Sequence, residues 1–350
     1  MLDQMLPHAD CVVAGTVAGR DLAAIPEAVA NRALGSPGGA EVRRLAGRLA
    51  VRDREPPDAV YLNGITQTGS ELLASVDPAV PVVTHVHELD IGLDRNTSPE
   101  GLALIRSRTD RFVAVSKAVQ EMVCRRFSLE TAQVPVVAGL LPDPLPGGPS
   151  DPALRDSGRS LMDVRPAEAF VVGACGVRDW RKAPDLFVRM ASEVLRSAPS
   201  EGVAFRWIGG SDGPNDWQWR HDVAALQLQS AMRFIEETED VVAHFAGLDV
   251  LVVPAREDAY PLAALEAAAM GVPIVAFDAG GLPEFIQQDA GRVVAPLDTT
   301  AMAGAVNELL GDAELRASCG EVGSRRIRER HQPDESAHAL WSLIRDVAGR

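Results

Sequence analysis

Apolar residues in this chain come in short clusters set between amphipathic stretches, and the spacing of the two predicts the architecture. Runs at residues 59–63, 81–84, 111–115 and 134–138 are brief, continuous and rich in β-branched side chains, the pattern of strands buried on both faces. Residues 11–15 read the same way. Helical periodicity predicts helices over residues 41–51, where Val42, Leu45 and Leu49 share one side, over 70–75, and over 117–127, which Ser116 is placed to cap. Strands alternating with helices predict a parallel, doubly wound sheet.

The alternation breaks after residue 138. Pro142, Pro144, Pro146, Gly147, Gly148, Pro149 and Pro152 crowd together, which is linker composition. A boundary here gives a first domain over residues 1–145, a linker over 146–167 and a second α/β domain over 168–334. In the second domain, strands are expected at residues 170–173, 205–208, 232–235, 251–253, 273–277 and 292–294. Helices are expected at 184–197, 300–310 and 312–329, and the residues 222–228 and 241–247 continue the alternation. A final helix over 335–347 carries Leu340, Trp341, Ile344 and Val347 at helical spacing.

Composition narrows the function more than the fold. With 350 residues, two domains are expected. A formal net charge of −15 disfavours nucleic acid and anionic membrane as general partners, because both require a basic surface. The sequence has neither a long uncharged apolar run nor a basic-then-apolar leader, so no membrane span is expected and the cytoplasm is the default location. Cys11, Cys124, Cys175 and Cys319 are scattered, which suggests neither a zinc site nor a disulfide framework.

The most informative stretch runs from residue 251 to 286. An apolar strand breaks at Pro254 into a polar loop with Arg256, Glu257 and Asp258. A helix follows with Pro261 in its first turn and Gly271 where a left-handed cap is wanted, then a second strand and the turn Gly280-Gly281 before Pro283-Glu284. Ligands of open α/β sheets lie beyond the carboxyl ends of the strands, where helix N-termini also point. The N–H groups near Tyr260 and Leu262 suit a phosphate, and Glu266, one turn into the helix, suits a ribose. A second cluster, Gly176-Val177-Arg178-Asp179-Trp180-Arg181-Lys182-Ala183, puts cations in a loop between a strand and a helix, where a diphosphate would find charge and donors together. His85 and His87 alternate on an extended segment and point the same way.

These motifs resemble the retaining glycosyltransferases of family 4, the glycosyl transferases of group 1. Two acidic residues separated by seven others, Asp258 to Glu266, are followed by Gly280-Gly281-Leu282-Pro283-Glu284; many members have Glu where this chain has Asp258. The resemblance implies the GT-B fold: α/β, two Rossmann-like doubly wound parallel-sheet domains facing a cleft, with the final helix, 335–350, returning to the N-terminal, acceptor-side domain. It also implies a metal-independent transfer of a sugar from a nucleoside-diphosphate sugar, with no cofactor, to a glycan, lipid or small-molecule acceptor. The DxD metal motif of the other large glycosyltransferase fold is absent. By this resemblance Lys182 and an arginine, Arg181 or Arg178, hold the donor diphosphate with Tyr260, Pro261 and Leu262. Glu266 binds the ribose, His87 and Asp258 meet the transferred sugar, and Gly281 and Glu284 contact the sugar or orient the loop. Asn63, Gly209 and Gly210 are weaker candidates. The family usually opens with an apolar strand and a Gly-rich loop that nothing before Cys11 supplies, so a shortened N-terminal domain is expected, and a non-catalytic nucleotide-sugar-binding protein is the second reading.

Overall fold

The first of two parallel sheets is built from β1 (Cys11–Val17), β2 (Arg20–Leu22), β3 (Ala59–Asn63), β4 (Val82–Val86) and β5 (Arg111–Ala114). Their order is β2-β1-β3-β4-β5, parallel throughout except for the antiparallel β1–β2 pair. The structure, a computed structural model, describes residues 11–17, 20–22, 57–138, 141, 151–165, 170–197, 202–210, 213 and 216–349. The helix expected at residues 41–51 lies outside them. All five residues of β4 and four of five in β3 are buried, as their β-branched composition requires. Helix α1 (Gln67–Leu73) starts at Thr66, whose hydroxyl accepts the N–H of Gly69; α2 (Asp90–Asn96), α3 (Pro99–Arg108) and α4 (Lys117–Phe127) follow. Ser116 caps α4 by accepting the N–H of Val119.

Residues 134–138 correct an expectation. They form no strand. Pro135 cannot donate, so a single parallel bridge joins Ala114 to Val136 before the segment leaves the sheet.

A second correction concerns the linker. Residues 152–161, inside the span read as linker, form helix α5 (Pro152–Leu161), with Pro152 in its first turn and Asp151 capping Ala153 and Leu154. Arg155 and Arg159 each bond Asp249 at 2.7 Å, and the buried Arg206 donates to the carbonyls of Met162 and Asp163 at its C-terminal end. Those partners lie 43 to 94 residues further along the chain.

The second sheet contains β6 (Phe170–Cys175), β7 (Val203–Ile208), β8 (Met232–Ile235), β9 (Val250–Val253), β10 (Ile274–Phe277) and β11 (Gly291–Val294). Its helices are α6 (Pro184–Ser197), α7 (Asp216–Ala225), α8 (Val241–Ala246), α9 (Leu262–Ala269), α10 (Leu282–Ile286), α11 (Thr299–Gly311) and α12 (Ala313–Arg330). All strands are parallel, in the order β11-β10-β9-β6-β7-β8. The chain moves outward through β6, β7 and β8, then returns to pair β9 beside β6 and moves the other way. The loops that follow β6 and β9 therefore leave the sheet side by side at a topological switch point, the place where open α/β sheets hold ligands. Two cores cover the faces, one around Phe187, Phe205 and Trp207, the other around Phe245, Leu265 and Phe285.

Chain contacts divide the protein into Met1–Ala138 with Asp334–Arg350, and Gly139–Pro333. The last helix, α13 (Pro333–Ala348), packs Leu340 and Ile344 against Ala59, Tyr61, Val83 and Val113 of the first unit.

Candidate functional site

The cationic loop owes its shape to residues that carry no charge. Gly176 has φ +142°, and its missing Cβ leaves room for the stem of Lys182, which would lie 3.3 Å from that atom. The Gly176 carbonyl accepts the indole N–H of Trp207 at 2.9 Å. Asp179 accepts the Lys182 N–H at 2.8 Å, and the buried Ala183 takes a left-handed φ of +61° to enter α6. Lys182 is thereby turned toward the loop after β9, where its Nζ meets Asp258 Oδ2 at 2.5 Å.

That second loop is tied to its neighbours on both sides. The Arg256 N–H donates to the Arg181 carbonyl at 2.8 Å, and Arg181 Nη1 donates to the Glu257 carbonyl at 3.1 Å while lying 3.9 Å from Asp258 Oδ2. The Arg256 side chain forks onto Asp185 at 2.6 and 3.0 Å, donates to the Trp180 carbonyl and stacks over the Trp180 ring. Toward β10, Asp258 N–H donates to Ala279 O at 3.0 Å and Gly281 N–H donates to Asp258 O at 3.2 Å. Gly280, at φ +142°, permits that close approach.

Arg181, Lys182, Asp258 and Gly281 thus come together at the switch point. Glu266, half-buried on α9, belongs to the same neighbourhood: burial raises its carboxyl above the usual range. Cys175 at the end of β6 feels both Lys182 and Glu266, although burial is the main reason its thiol is pushed up to about 12. Pro261 is the N-cap of α9 and supplies no side-chain cap; the Ala264 N–H turns back to the Pro261 carbonyl at 3.0 Å, while the N–H groups of Leu262 and Ala263 before it have no intrahelical partner. Leu262, in its first turn, is 44% exposed.

Two expected residues are used differently from the sequence reading. The Tyr260 hydroxyl turns away to His331 Nε2 at 3.1 Å, with the rings stacked 5.6 Å apart; burial, then Glu284, raises the phenol pKa, leaving only the Tyr260 backbone beside α9. The Arg178 side chain is buried, bonding Asp216 at 2.5 Å and the carbonyls of Gly209, Gly210 and Ile235, with Phe234 beneath its guanidinium. Of the two candidate arginines, Arg181 stands beside Lys182 and Asp258. Glu284 lies in the first turn of α10, behind Gly281.

His87 belongs to the first unit, just beyond β4. Its ring packs 4.4 Å from that of His85, as the alternation predicts, and its Nε2 is buried with no hydrogen-bond partner among the described residues. Burial, then the neighbouring His85, holds its pKa well below the ordinary value. His85 is fixed between the Tyr61 hydroxyl at 2.8 Å and the Val137 carbonyl at 3.0 Å, and burial lowers it to about 4. Among the described residues no group of three His, Cys, Asp or Glu side chains is placed to hold a metal ion, and no helix is long and apolar enough to cross a membrane. Sequence reasoning placed Arg256 in the polar loop but missed its pairing with Asp185, the brace between the loops, and missed His331, whose partners are far away in the chain.

Solved structures share this architecture. It superposes on Anabaena Alr3699/HepE in complex with UDP and glucose at a TM-score of 0.71 and 17% identity, over 89% of this chain and 83% of that one. The fold is therefore GT-B. Residues 169–312, which build the second sheet and its loops, match the family Glycosyl transferases group 1, and this segment belongs to that family. A D-inositol 3-phosphate glycosyltransferase of Saccharomonospora viridis is 30% identical over 206 residues, 56% of this chain and 47% of the relative. The lipopolysaccharide core biosynthesis mannosyltransferase LpsB of Rhizobium meliloti is 27% identical over 195 residues, 54% of this chain and 55% of LpsB. The chain spans about half the length of these curated relatives.

Proposed function

We propose that this chain is a retaining glycosyltransferase that moves a sugar from a nucleoside-diphosphate sugar to an acceptor hydroxyl without a metal ion. The observation that carries the proposal is the meeting of Arg181 and Lys182 with Asp258 at the switch point of the second sheet. Lys182 and Arg181 bind the diphosphate, the backbone at the start of α9, from Tyr260 through Pro261 to Leu262, receives its distal phosphate, and Glu266 takes the ribose hydroxyls. Asp258 and His87 contact the transferred sugar, with Gly281 and Glu284 shaping the adjoining turn.

In this reading the bond between the anomeric carbon and the phosphate oxygen breaks, a bond to the acceptor oxygen forms on the same face, and the acceptor proton passes to the leaving phosphate. Charge stabilisation on that phosphate is the main catalytic task. Because HepE binds UDP, a uracil nucleotide is the first donor to try. Titrating the wild type, Lys182→Ala and Glu266→Ala with UDP, GDP and ADP tests the assignment. Both variants are expected to lose affinity for the preferred diphosphate; unchanged affinity in both would overturn it.

A further inference from the structure

The ends of β3 and β4 hold a carboxyl group that the proposed reaction leaves unused. Glu88 Oε2 accepts the backbone N–H of Ile65 at 3.0 Å and that of His87 at 3.1 Å, so one oxygen ties the loop leaving β3 to the segment leaving β4. Its other oxygen fills the space a side chain at residue 64 would need: a Cβ on Gly64 would lie 2.8 Å from Oε1, and Gly64 has φ +108°. The Gly64 N–H donates to the His85 carbonyl at 2.8 Å, closing the same junction.

This junction fixes His87 twice. Its peptide is held by Glu88, and its ring lies against His85, which is itself held at both nitrogens. The Val137 carbonyl requires an N–H on His85 Nε2, and burial, which lowers the ring to about 4, keeps it neutral, so Nδ1 is the acceptor facing the Tyr61 hydroxyl. The arrangement is costly, because burial raises Glu88 to about 7, against which its backbone donors work. The carboxyl also stands at the C-terminal ends of parallel strands, where α/β sheets place ligand contacts.

We propose that Glu88 is a positioning residue for His87, clamping its backbone so that the imidazole meets the transferred sugar in one orientation. The inference rests on the assignment of His87 to the sugar under Proposed function. Glu88 touches no reacting atom in this scheme; its effect passes through His87.

The test is donor hydrolysis by the full chain, using whichever of UDP-glucose, UDP-N-acetylglucosamine, GDP-mannose and ADP-glucose the wild type turns over fastest. Glu88→Ala is expected to lower kcat by the same factor as His87→Ala, about 10- to 100-fold, which is the scale of a small misplacement near the reacting centre. The double variant should be no slower than His87→Ala alone, while nucleoside diphosphate affinity stays within about twofold. Glu88→Gln, which offers an oxygen to the same two N–H groups, should keep wild-type turnover within about twofold. Glu88→Asp, too short to reach both, should be slow; this pair carries the test if Glu88→Ala does not fold.

Wild-type turnover in a folded Glu88→Ala or Glu88→Asp protein, or losses that multiply in the double variant, would overturn the proposal. So would a Glu88→Gln protein as slow as Glu88→Ala, since the charge itself would then be what matters. If His87→Ala turns over like the wild type, or the wild type hydrolyses none of the four donors, the functional reading fails and this inference with it. If His87→Ala is slow and Glu88→Ala is not, only the inference fails.

Discussion

Lys182 Nζ lies 2.5 Å from Asp258 Oδ2, and the two side chains are only 16% and 13% exposed. The cation best placed for a diphosphate is thus already neutralised by a carboxylate on the facing loop. A diphosphate must compete with that carboxylate or displace it. Asp258→Asn is expected to bind nucleoside diphosphate about five- to tenfold more tightly, the yield of about 1 kcal/mol of freed ion pairing, and to lose turnover. Calorimetric titration checks this; equal or weaker binding would show that Asp258 does not compete for Lys182.

Tyr260 and His331 give a second prediction. Removing the phenol oxygen takes the partner of His331 Nε2 from a buried ring whose Nδ1 already lacks one among the described residues. Tyr260→Phe should cost about 1–3 kcal/mol of stability. His331 also packs edge-on against Phe285 of α10, so it supports both the loop after β9 and the Gly-Gly turn. His331→Ala is therefore expected to weaken nucleoside diphosphate binding as well as to lower the Tm, whereas a drop in Tm alone would confine its role to packing.

The pH dependence of stability differs between the two units. His331 is lowered from 6.5 to about 4, by burial first and then by Arg330. Its folded pKa lies below its unfolded value, so the stability it confers is complete above pH 6.5 and is lost as pH falls toward 4. Glu88 works in the opposite direction. Its folded value of about 7 exceeds the unfolded 4.5, so its contribution is complete below 4.5 and is lost as pH rises through 7. Glu88→Gln should stabilise the first unit at pH 8, by up to about 3 kcal/mol, and do nothing at pH 4. Hydrogen exchange resolved by unit, measured at both values, is the check.

Gly158 tests the packing of α5. A Cβ there would lie 1.8 Å from the Ala243 carbonyl oxygen, within the contact between α5 and α8. Alanine improves helix propensity by about 1 kcal/mol, yet this clash is with backbone and cannot be relieved by a rotamer change. Gly158→Ala is expected to destabilise the second unit by about 2 kcal/mol net. A stabilised variant in denaturant melts would show that α5 is loosely docked.

How much of this was legible in the sequence depends on the reach of each interaction. The strands were plain because burial on both faces writes a continuous apolar run, as at Val250–Val253. The pairing of Arg181 and Lys182 with Asp258 could be anticipated, since each sits in a loop after a predicted strand. Helix α5 was hidden because its neighbours are prolines and glycines, and the residues that hold it, Arg206 and Asp249, are distant. Which arginine joins Lys182 was also hidden: Arg178 and Arg181 are equally charged, and it is the burial of Arg178 against Asp216 and three backbone carbonyls that removes it. His331 carried no local signal at all.

The grouping of Asp334–Arg350 with the first unit has a consequence for biosynthesis. The surface formed by Ala59, Tyr61, Val83 and Val113 receives Leu340 and Ile344 only after every residue of the second unit has been translated. As the chain leaves the ribosome, the whole second unit is translated while the first waits with an uncovered apolar face. Chaperone protection is most needed in that interval, and a nascent chain stalled before residue 334 should be the species that aggregates.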